Sequence, residues 1–504
     1  MQGALKLGRR WLYLVHRWIG VGACLLFAMW FVSGLVMMYV PYPRLTDRER
    51  LGGLDAIDWG QVKLRPDQAV EAAGSTGWPQ RLKLEMMAGE PVYRVADFRR
   101  ETLSARDGRR IEAVDRTQAL AIARGFSRLS APAAVGAVER DQWTVGEGFD
   151  AHRPLYKVAF ADPDRTVLYV SSNTGEVVLD TRRVERLWNW VGTVPHWIYF
   201  TRLRSNGPAW TQVILWTSGL GMVGAVSGLW IGLLRLHTRR RYRDERVSPY
   251  RGWMKWHHVG GLVTGLTLAT WVFSGWLSMG PNGWFEGSAL DFTARARYAA
   301  AGAAFPFDPS AARFPAGAKE ARFVWVAGRP EVVLSDAALH RTVIDGRTGQ
   351  PLRVGEAALF DNARTLLPQA HLARRQRLVA EDVYWYAHHA EPRLPMLRAV
   401  FDDRAGTWFH IDPLTGELAG MMTANDRLGR WAFNFLHDFD LPLLLNSRPS
   451  WDILMWVLLL GGLTISVSGV VIAWRRLKRK GAEIRAWARR LGRKRAPVVL
   501  PGAE

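Results

Sequence analysis

Residues 18–40 read WIGVGACLLFAMWFVSGLVMMYV, a run with no Asp, Glu, Lys or Arg in it. About 20 apolar residues cross the roughly 30 Å of hydrocarbon in a bilayer, and this run is long enough to do so. Three more runs of the same kind follow: Val213–Leu234, Val259–Met279 and Ile453–Trp474. The reading is therefore an integral membrane α-helical bundle of four transmembrane helices. The first run is too long for the apolar region of a signal peptide, and no small-residue cleavage site follows Met37-Met38-Tyr39, so it reads as an uncleaved anchor.

Charge gives the orientation. The net charge is +21, and residues 1–17, 235–255 and 475–504 carry +4, +6 and +9 of it. All three lie on one side of the four spans, and the two long segments on the other side are nearly neutral. That is the distribution expected when Lys and Arg stay in the cytoplasm. It assigns the basic charge to the membrane surface and leaves nucleic-acid binding without support.

The chain then divides into a cytoplasmic N-terminus (1–17), a first span (18–40), a first periplasmic segment (41–207) and a second span (208–234). A basic cytoplasmic loop (235–255), a third span (256–279), a second periplasmic segment (280–450), a fourth span (451–474) and a basic cytoplasmic tail (475–504) complete it. The setting this implies is a membrane with both termini on the cytoplasmic side and the lipid bilayer as the first partner.

A constant offset of 241 overlays the sequence on itself. His16, Gly20, Trp30, Ser33 and Gly34 fall on His257, Gly261, Trp271, Ser274 and Gly275. Thr174-Gly175-Glu176 falls on Thr415-Gly416-Glu417, His196 on His437, Trp210 on Trp451, and Ser227-Gly228 on Ser468-Gly469. One unit of span, outer segment and span therefore occurs twice in tandem, with both copies in the same orientation. Such parallel repeats are related by an axis along the membrane normal, which puts equivalent residues at equal depth on opposite sides of it.

The outer segments predict α+β modules. Pro66–Ala73 and Arg116–Gly125 have helical character, and Pro91–Asp97, Leu155–Phe160 and Val167–Ser171 are rich in β-formers. Turns are marked by Arg106-Asp107-Gly108, Asn173-Thr174-Gly175, Arg347-Thr348-Gly349 and Leu414-Thr415-Gly416, where glycine supplies a positive φ.

These features resemble the PepSY-associated transmembrane family, also called iron-regulated membrane proteins. The likeness covers nearly the whole chain. It rests on His16-Arg17-Trp18-Ile19-Gly20, Ser33-Gly34, the hairpin Asp412-Pro413-Leu414-Thr415-Gly416-Glu417, Ser227-Gly228 and Ser468-Gly469. The resemblance implies two α+β PepSY-like periplasmic domains. It also implies an inner-membrane reductase that carries haem and acts on ferric siderophores in the periplasm, although some members have no assigned activity.

The repeat sorts the twelve histidines. His16 and His257 open the odd spans on the cytoplasmic side, and His196 and His437 precede the even spans on the outer side. Two imidazoles facing each other across a bundle suit axial ligation of a b-type haem. The lone cysteine, Cys24, excludes a Cys-x-x-Cys-His attachment and a Cys-bound cluster. The expectation is two bis-histidine haems b, one near each face, with irons roughly 20 Å apart. The plain reading is that histidines at span ends are interfacial or capping residues.

His258 competes with His257 as the ligand, and Arg17 is placed to pair with a haem propionate. Trp30 and Trp271 lie deep in the odd spans, against a macrocycle or beside the path between haems, whereas the other tryptophans near span ends read as an interfacial belt. His237 reads as a membrane-surface residue, and His152, His340, His371 and His410 as surface or hairpin residues. The adjacent pair His388-His389 makes a poor chelate if it lies in one strand.

There is no Gly-x-Gly-x-x-Gly after a strand in the cytoplasmic segments, no Walker motif and no His-Glu-x-x-His. The electron donor is then a quinol or a separate reductase, and the acceptor a ferric chelate in the periplasm. The competing class is a membrane-anchored binding or regulatory protein without redox activity, whose outer modules contact a periplasmic protein partner. A transporter is disfavoured because the spans lack ionisable carboxylate or lysine side chains.

Overall fold

The computed structural model describes residues 2–494 except 98, 130–131, 239–241, 243–245, 286, 311–313 and 388–392. His388 and His389 lie outside the described residues.

Four helices are long and apolar enough to cross a membrane: Gln2–Met37, Gly207–Arg235, Trp253–Leu277 and Ser450–Lys494. The first helix begins well before the first apolar run. The fourth continues about twenty residues beyond Trp474, so much of the basic tail is helix. The first and third helices lie diagonally in the bundle, each packed against the second and the fourth. Close packing uses small residues, as expected where no hydrophobic drive separates helix from lipid. A Cβ on Gly462 would sit 2.2 Å from Phe31, and one on Gly461 would sit 2.4 Å from Thr264.

The segments between the helices form antiparallel α+β layers at one end of the bundle. The first holds β1 (Arg81–Met87), β2 (Glu90–Ala96), β3 (Arg100–Ser104), β4 (Pro132–Val138), β5 (Leu155–Phe160), β6 (Val167–Ser171) and β7 (Val177–Thr181). The second holds β8 (Glu320–Val326), β9 (Arg329–Ser335), β10 (Arg341–Asp345), β11 (Leu372–Leu378), β12 (Met396–Phe401), β13 (Trp408–Ile411) and β14 (Leu418–Met422). β4 to β7 make one four-stranded sheet and β11 to β14 another. The expected helices are Pro66–Ala72 and Arg116–Ser127, and glycines 108, 175, 349 and 416 all have φ between 63° and 79°.

The third sheet crosses between the segments. Its order is β10-β9-β8-β1-β2-β3, joined by β1 pairing with β8. In that register Lys83 faces Arg322 and Glu85 faces Glu320. One face of the sheet is apolar, with Leu82, Leu84, Tyr93 and Phe323 buried against Phe305, Phe307 and Val70. The other face buries charge. Like charges opposed across strands destabilise a sheet, and here cations offset them: Lys83 lies 2.9 Å from Glu85, and Arg50 lies 2.8 Å from Glu320 and 3.6 Å from Glu85. Lys83 and Glu176 (3.3 Å) pair as Arg322 and Glu417 (2.7 Å) do. The cations Lys83 and Arg94 hold the Glu176 carboxyl well below the usual carboxylate range despite its burial.

Candidate histidine sites at the two ends of the bundle

His16 lies on the first long helix and His257 on the third, at the end of the bundle away from the sheets. Their rings face each other with centroids 6.2 Å apart and planes at 41°. Nδ1 of His16 is 3.0 Å from the Gly224 carbonyl, and Nδ1 of His257 is 3.1 Å from the Ile465 carbonyl, a contact displaced by 241 residues on both partners. A carbonyl only accepts, so each Nδ1 carries the proton and each Nε2 keeps its lone pair. Gly228 and Gly469 make room for the rings: a Cβ on Gly228 would come within 2.5 Å of His16, and one on Gly469 within 3.5 Å of His257.

At the sheet-bearing end His196 closes the short helix Thr193–His196, and His437 lies in the turn Leu436–Asp438. Their ring centroids are 6.1 Å apart and their planes cross at 82°. Ser33 lies 3.0 Å from Nδ1 of His196, and Ser274 lies 2.9 Å from Nδ1 of His437. Each serine also donates to a carbonyl one turn back, of Trp30 and Trp271 respectively. The network therefore assigns the proton to Nδ1 here as well. Among the described residues, Nε2 of none of these four histidines makes a hydrogen bond.

The chain around His196 and His437 is fixed by backbone shape and by tryptophan. Two residues after each histidine the chain turns through a left-handed residue, Ile198 (φ 49°) and Phe439 (φ 48°). Such φ values are costly for side chains of this size and mark an imposed geometry. Trp210 donates to the Trp197 carbonyl and Trp451 to the Asp438 carbonyl, both at 2.9 Å, so each even helix grips the residue after a histidine. Trp30 donates to the carbonyl of His196 itself. Trp451 is 1% exposed and is an anchor, contrary to the expectation of a belt residue.

The remaining candidates separate cleanly. Both ring nitrogens of His258 are occupied, Nδ1 by Ser248 at 2.9 Å and Nε2 by the Gly232 carbonyl at 3.0 Å, so His258 ties the connecting loop to the second helix and has no lone pair to offer. Arg17 is half-buried on the first helix. Trp271 is buried between Phe31 and Phe439, with no partner for its Nε1 among the described residues. His237 stacks on Tyr242. His152 and His410 are buried, not surface residues. His152 is tucked beside Arg100 and Thr174, and His410 accepts from Arg398 under the stacked ring of Trp385. Loss of water on burial, helped by the Arg398 charge, pushes His410 down to about 3, so it is a neutral acceptor.

Each end thus brings together two imidazoles, with ring centroids 6.2 and 6.1 Å apart, whose Nε2 lone pairs are not used by the Nδ1 hydrogen bonds. Two imidazoles on one metal, with metal–nitrogen bonds of about 2 Å, hold their ring centres roughly 6 Å apart. A hydrogen-bonded Nδ1–H fixes ring orientation and raises the basicity of Nε2, as around metal-bound histidines. Among the described residues no group of three or more His, Cys, Asp or Glu converges. A naked ion needs more donors than two, whereas a macrocycle brings its own in-plane donors and asks the protein for axial ligands only. No family model matches the chain, and no curated protein matches it.

Proposed function

We propose that this chain is an inner-membrane electron-transfer protein that holds two haems b and reduces a ferric chelate, a ferric siderophore, on the outer side. His16 and His257 would hold one haem and His196 and His437 the other. The basic end faces the cytoplasm and the sheets face the periplasm, in keeping with the placement of Lys and Arg. The two span–segment–span units are read as a tandem parallel repeat, and the layered segments as PepSY-like domains.

The observation that carries this reading is the geometry of the four histidines. Both pairs meet with ring centroids 6.2 and 6.1 Å apart, the spacing one metal requires, and in all four rings Nδ1 is the hydrogen-bonded nitrogen, which leaves Nε2 for a ligand. The bound haem supplies one-electron chemistry. The protein's own part is to fix the rings through the Gly224 and Ile465 carbonyls and through Ser33 and Ser274, and to surround them with apolar helix.

Gly34, beside His196, is 18 residues from His16 on the same helix, which corresponds to about 27 Å of rise. The two centres would sit toward opposite ends of the continuous first helix, at a separation of the same order as the roughly 20 Å read from span length. Phe27, Phe31 and Trp271 fill the core between them, which gives Trp271 a place along the path. Arg17 remains the candidate partner for a propionate at the inner haem. Electrons enter from a quinol or a separate reductase.

The test is the absorbance of the purified protein. A b-type Soret band that shifts on reduction, with two haems per chain falling to one in His196→Ala, is expected. A colourless protein, or one whose spectrum ignores all four substitutions, would overturn the reading.

A further inference from the structure

Beside the outer histidine pair lies a cleft of about 630 Å³, between the end of the third long helix and the second sheet-bearing segment. Its walls include Met279, Trp284, Phe285, Tyr384, Tyr386 and Phe433. The volume is that of a site for a drug-sized ligand. A hexadentate chelator wrapped around one metal ion is of that size, and a single quinol ring is smaller.

Phe433 belongs to both the cleft and the histidine pair. It lines the cleft and stacks on His437 with centroids 5.4 Å apart and planes at 29°. Leu277, also in the wall, lies three residues after the Ser274 that orients His437. A molecule in the cleft is therefore one aromatic ring away from the outer imidazoles.

The wall is also preorganised. The guanidinium of Arg430 donates to the Val383 and Asp440 carbonyls and lies over the rings of Tyr386 and Trp431. Tyr386 donates to the Asp440 carboxylate. The same guanidinium is paired with the Asp440 carboxylate at 3.2 Å, so what the wall offers is a set of ordered aromatic faces, which suit a bulky ligand.

The first segment closes the corresponding space. Positions 384, 430 and 433 correspond to Trp143, Asn189 and Gly192 at the 241 offset. Trp143 is buried with Leu155, Val167 and Tyr169, and the ring of Tyr42 packs on it. Asn189 ties itself to the Pro41 and Glu185 carbonyls.

We propose that this cleft is the acceptor site, where a compact oxygen-liganded ferric chelate docks against Phe433. The proposal rests on the electron-transfer reading above. In the step it serves, the chelated iron passes from Fe(III) to Fe(II), and the electron would come from a ferrous haem held by His196 and His437, which would become ferric. No covalent bond to the protein forms or breaks.

The test separates docking from reduction by using a gallium(III) trihydroxamate, which has the shape of the ferric complex and is not reduced. Calorimetric titration of the full-length protein in detergent is expected to show one saturable site per chain. Gly287 lines the cleft, is exposed, and has nothing within 4 Å of an added Cβ, so Gly287→Trp should place an indole in the cleft and weaken binding at least tenfold. Trp284→Ala, at a half-exposed wall residue, should weaken it by a similar factor. Trp188→Ala, in the first segment, should bind as the wild type does, and the absorbance spectrum should be unaltered in all three. Wild-type protein with a normal haem spectrum and no binding, or Gly287→Trp and Trp284→Ala both binding as wild type, would overturn the acceptor site while leaving the haem reading intact. Binding by protein without haem would support the cleft and refute the electron-transfer reading.

Discussion

The two sheet-bearing segments have matching strand plans and differ in what fills them. Each has a three-stranded run joined by a two-residue turn, Ala88-Gly89 in the first and Ala327-Gly328 in the second, all four residues with positive φ. Each continues into a four-stranded antiparallel sheet and ends near a histidine that meets its counterpart. Yet beside the first histidine the space is plugged by Trp143 and Tyr42, whereas beside the second it is open. At the third residue of the second strand, the first segment has Val92 in an apolar core and the second has Glu331, fully buried with no partner for either oxygen among the described residues. The lesson is that the backbone plan fixes where a histidine arrives, and a handful of side chains decide whether anything else fits next to it.

The largest effects should fall where the segments act alike. His196→Ala and His437→Ala should each abolish the outer haem site and spare the inner one, measured as haem per chain. Unequal losses would mean that the pair is not shared.

Next come the interactions that hold the segments together or keep one closed. Arg50→Met leaves Glu85 with Lys83 and Arg94 at 2.9 Å but Glu320 with only Lys83 and Arg322 at 3.8 Å in a buried sheet face, and should destabilise the sheet-bearing end by about 3 kcal/mol, the low end for breaking a buried ion pair. Trp143→Ala empties the plug and should cost about 3–5 kcal/mol. Tyr384→Ala, at the position 241 residues later in the open cleft, should cost less than half as much. Chemical denaturation monitored by circular dichroism reads all three.

Glu331 gives the smallest effect and the most particular one. Burial, with Asp345 opposite it in the strand register and Glu417 nearby, pushes its carboxyl up to about 8. The unfolded chain ionises near 4.5, so the folded state retains a proton that the unfolded state has lost. Stability should therefore fall as pH rises from about 4.5 to about 8 and level off above that. Glu331→Val, which copies Val92, should stabilise the protein by about 1–3 kcal/mol at the upper end of this window and flatten the slope. Equal pH slopes in the two proteins would contradict the assignment.

Much of this was legible in the sequence because it rests on local signals. Four charge-free runs announced the long helices, and glycine-marked turns announced the hairpins. The 241-residue offset picked out the four histidines that the structure brings together in pairs. What was not legible depends on contacts between distant segments. The pairing of β1 with β8 joins two strand edges, and an edge offers only backbone groups that carry no sequence signature. His258 competed with His257 in the sequence although its repeat equivalent is Arg17, and only the fold shows that Ser248 and Gly232 occupy both its nitrogens. His152 and His410 read as surface or hairpin residues because neither has a histidine at its repeat equivalent, and their burial comes from Arg100 and Thr174 in one case and from Arg398 and Trp385 in the other. Trp210 and Trp451 resembled membrane-interface residues and act as clamps on the residue after each histidine.

The most direct measurement is low-temperature electron paramagnetic resonance of the oxidised protein, with haem quantified in the same sample. Two low-spin ferric signals per chain are predicted, one removed by His16→Ala or His257→Ala and the other by His196→Ala or His437→Ala. A single signal, high-spin iron, or signals that survive these substitutions would show that the paired imidazoles do not clasp a metal.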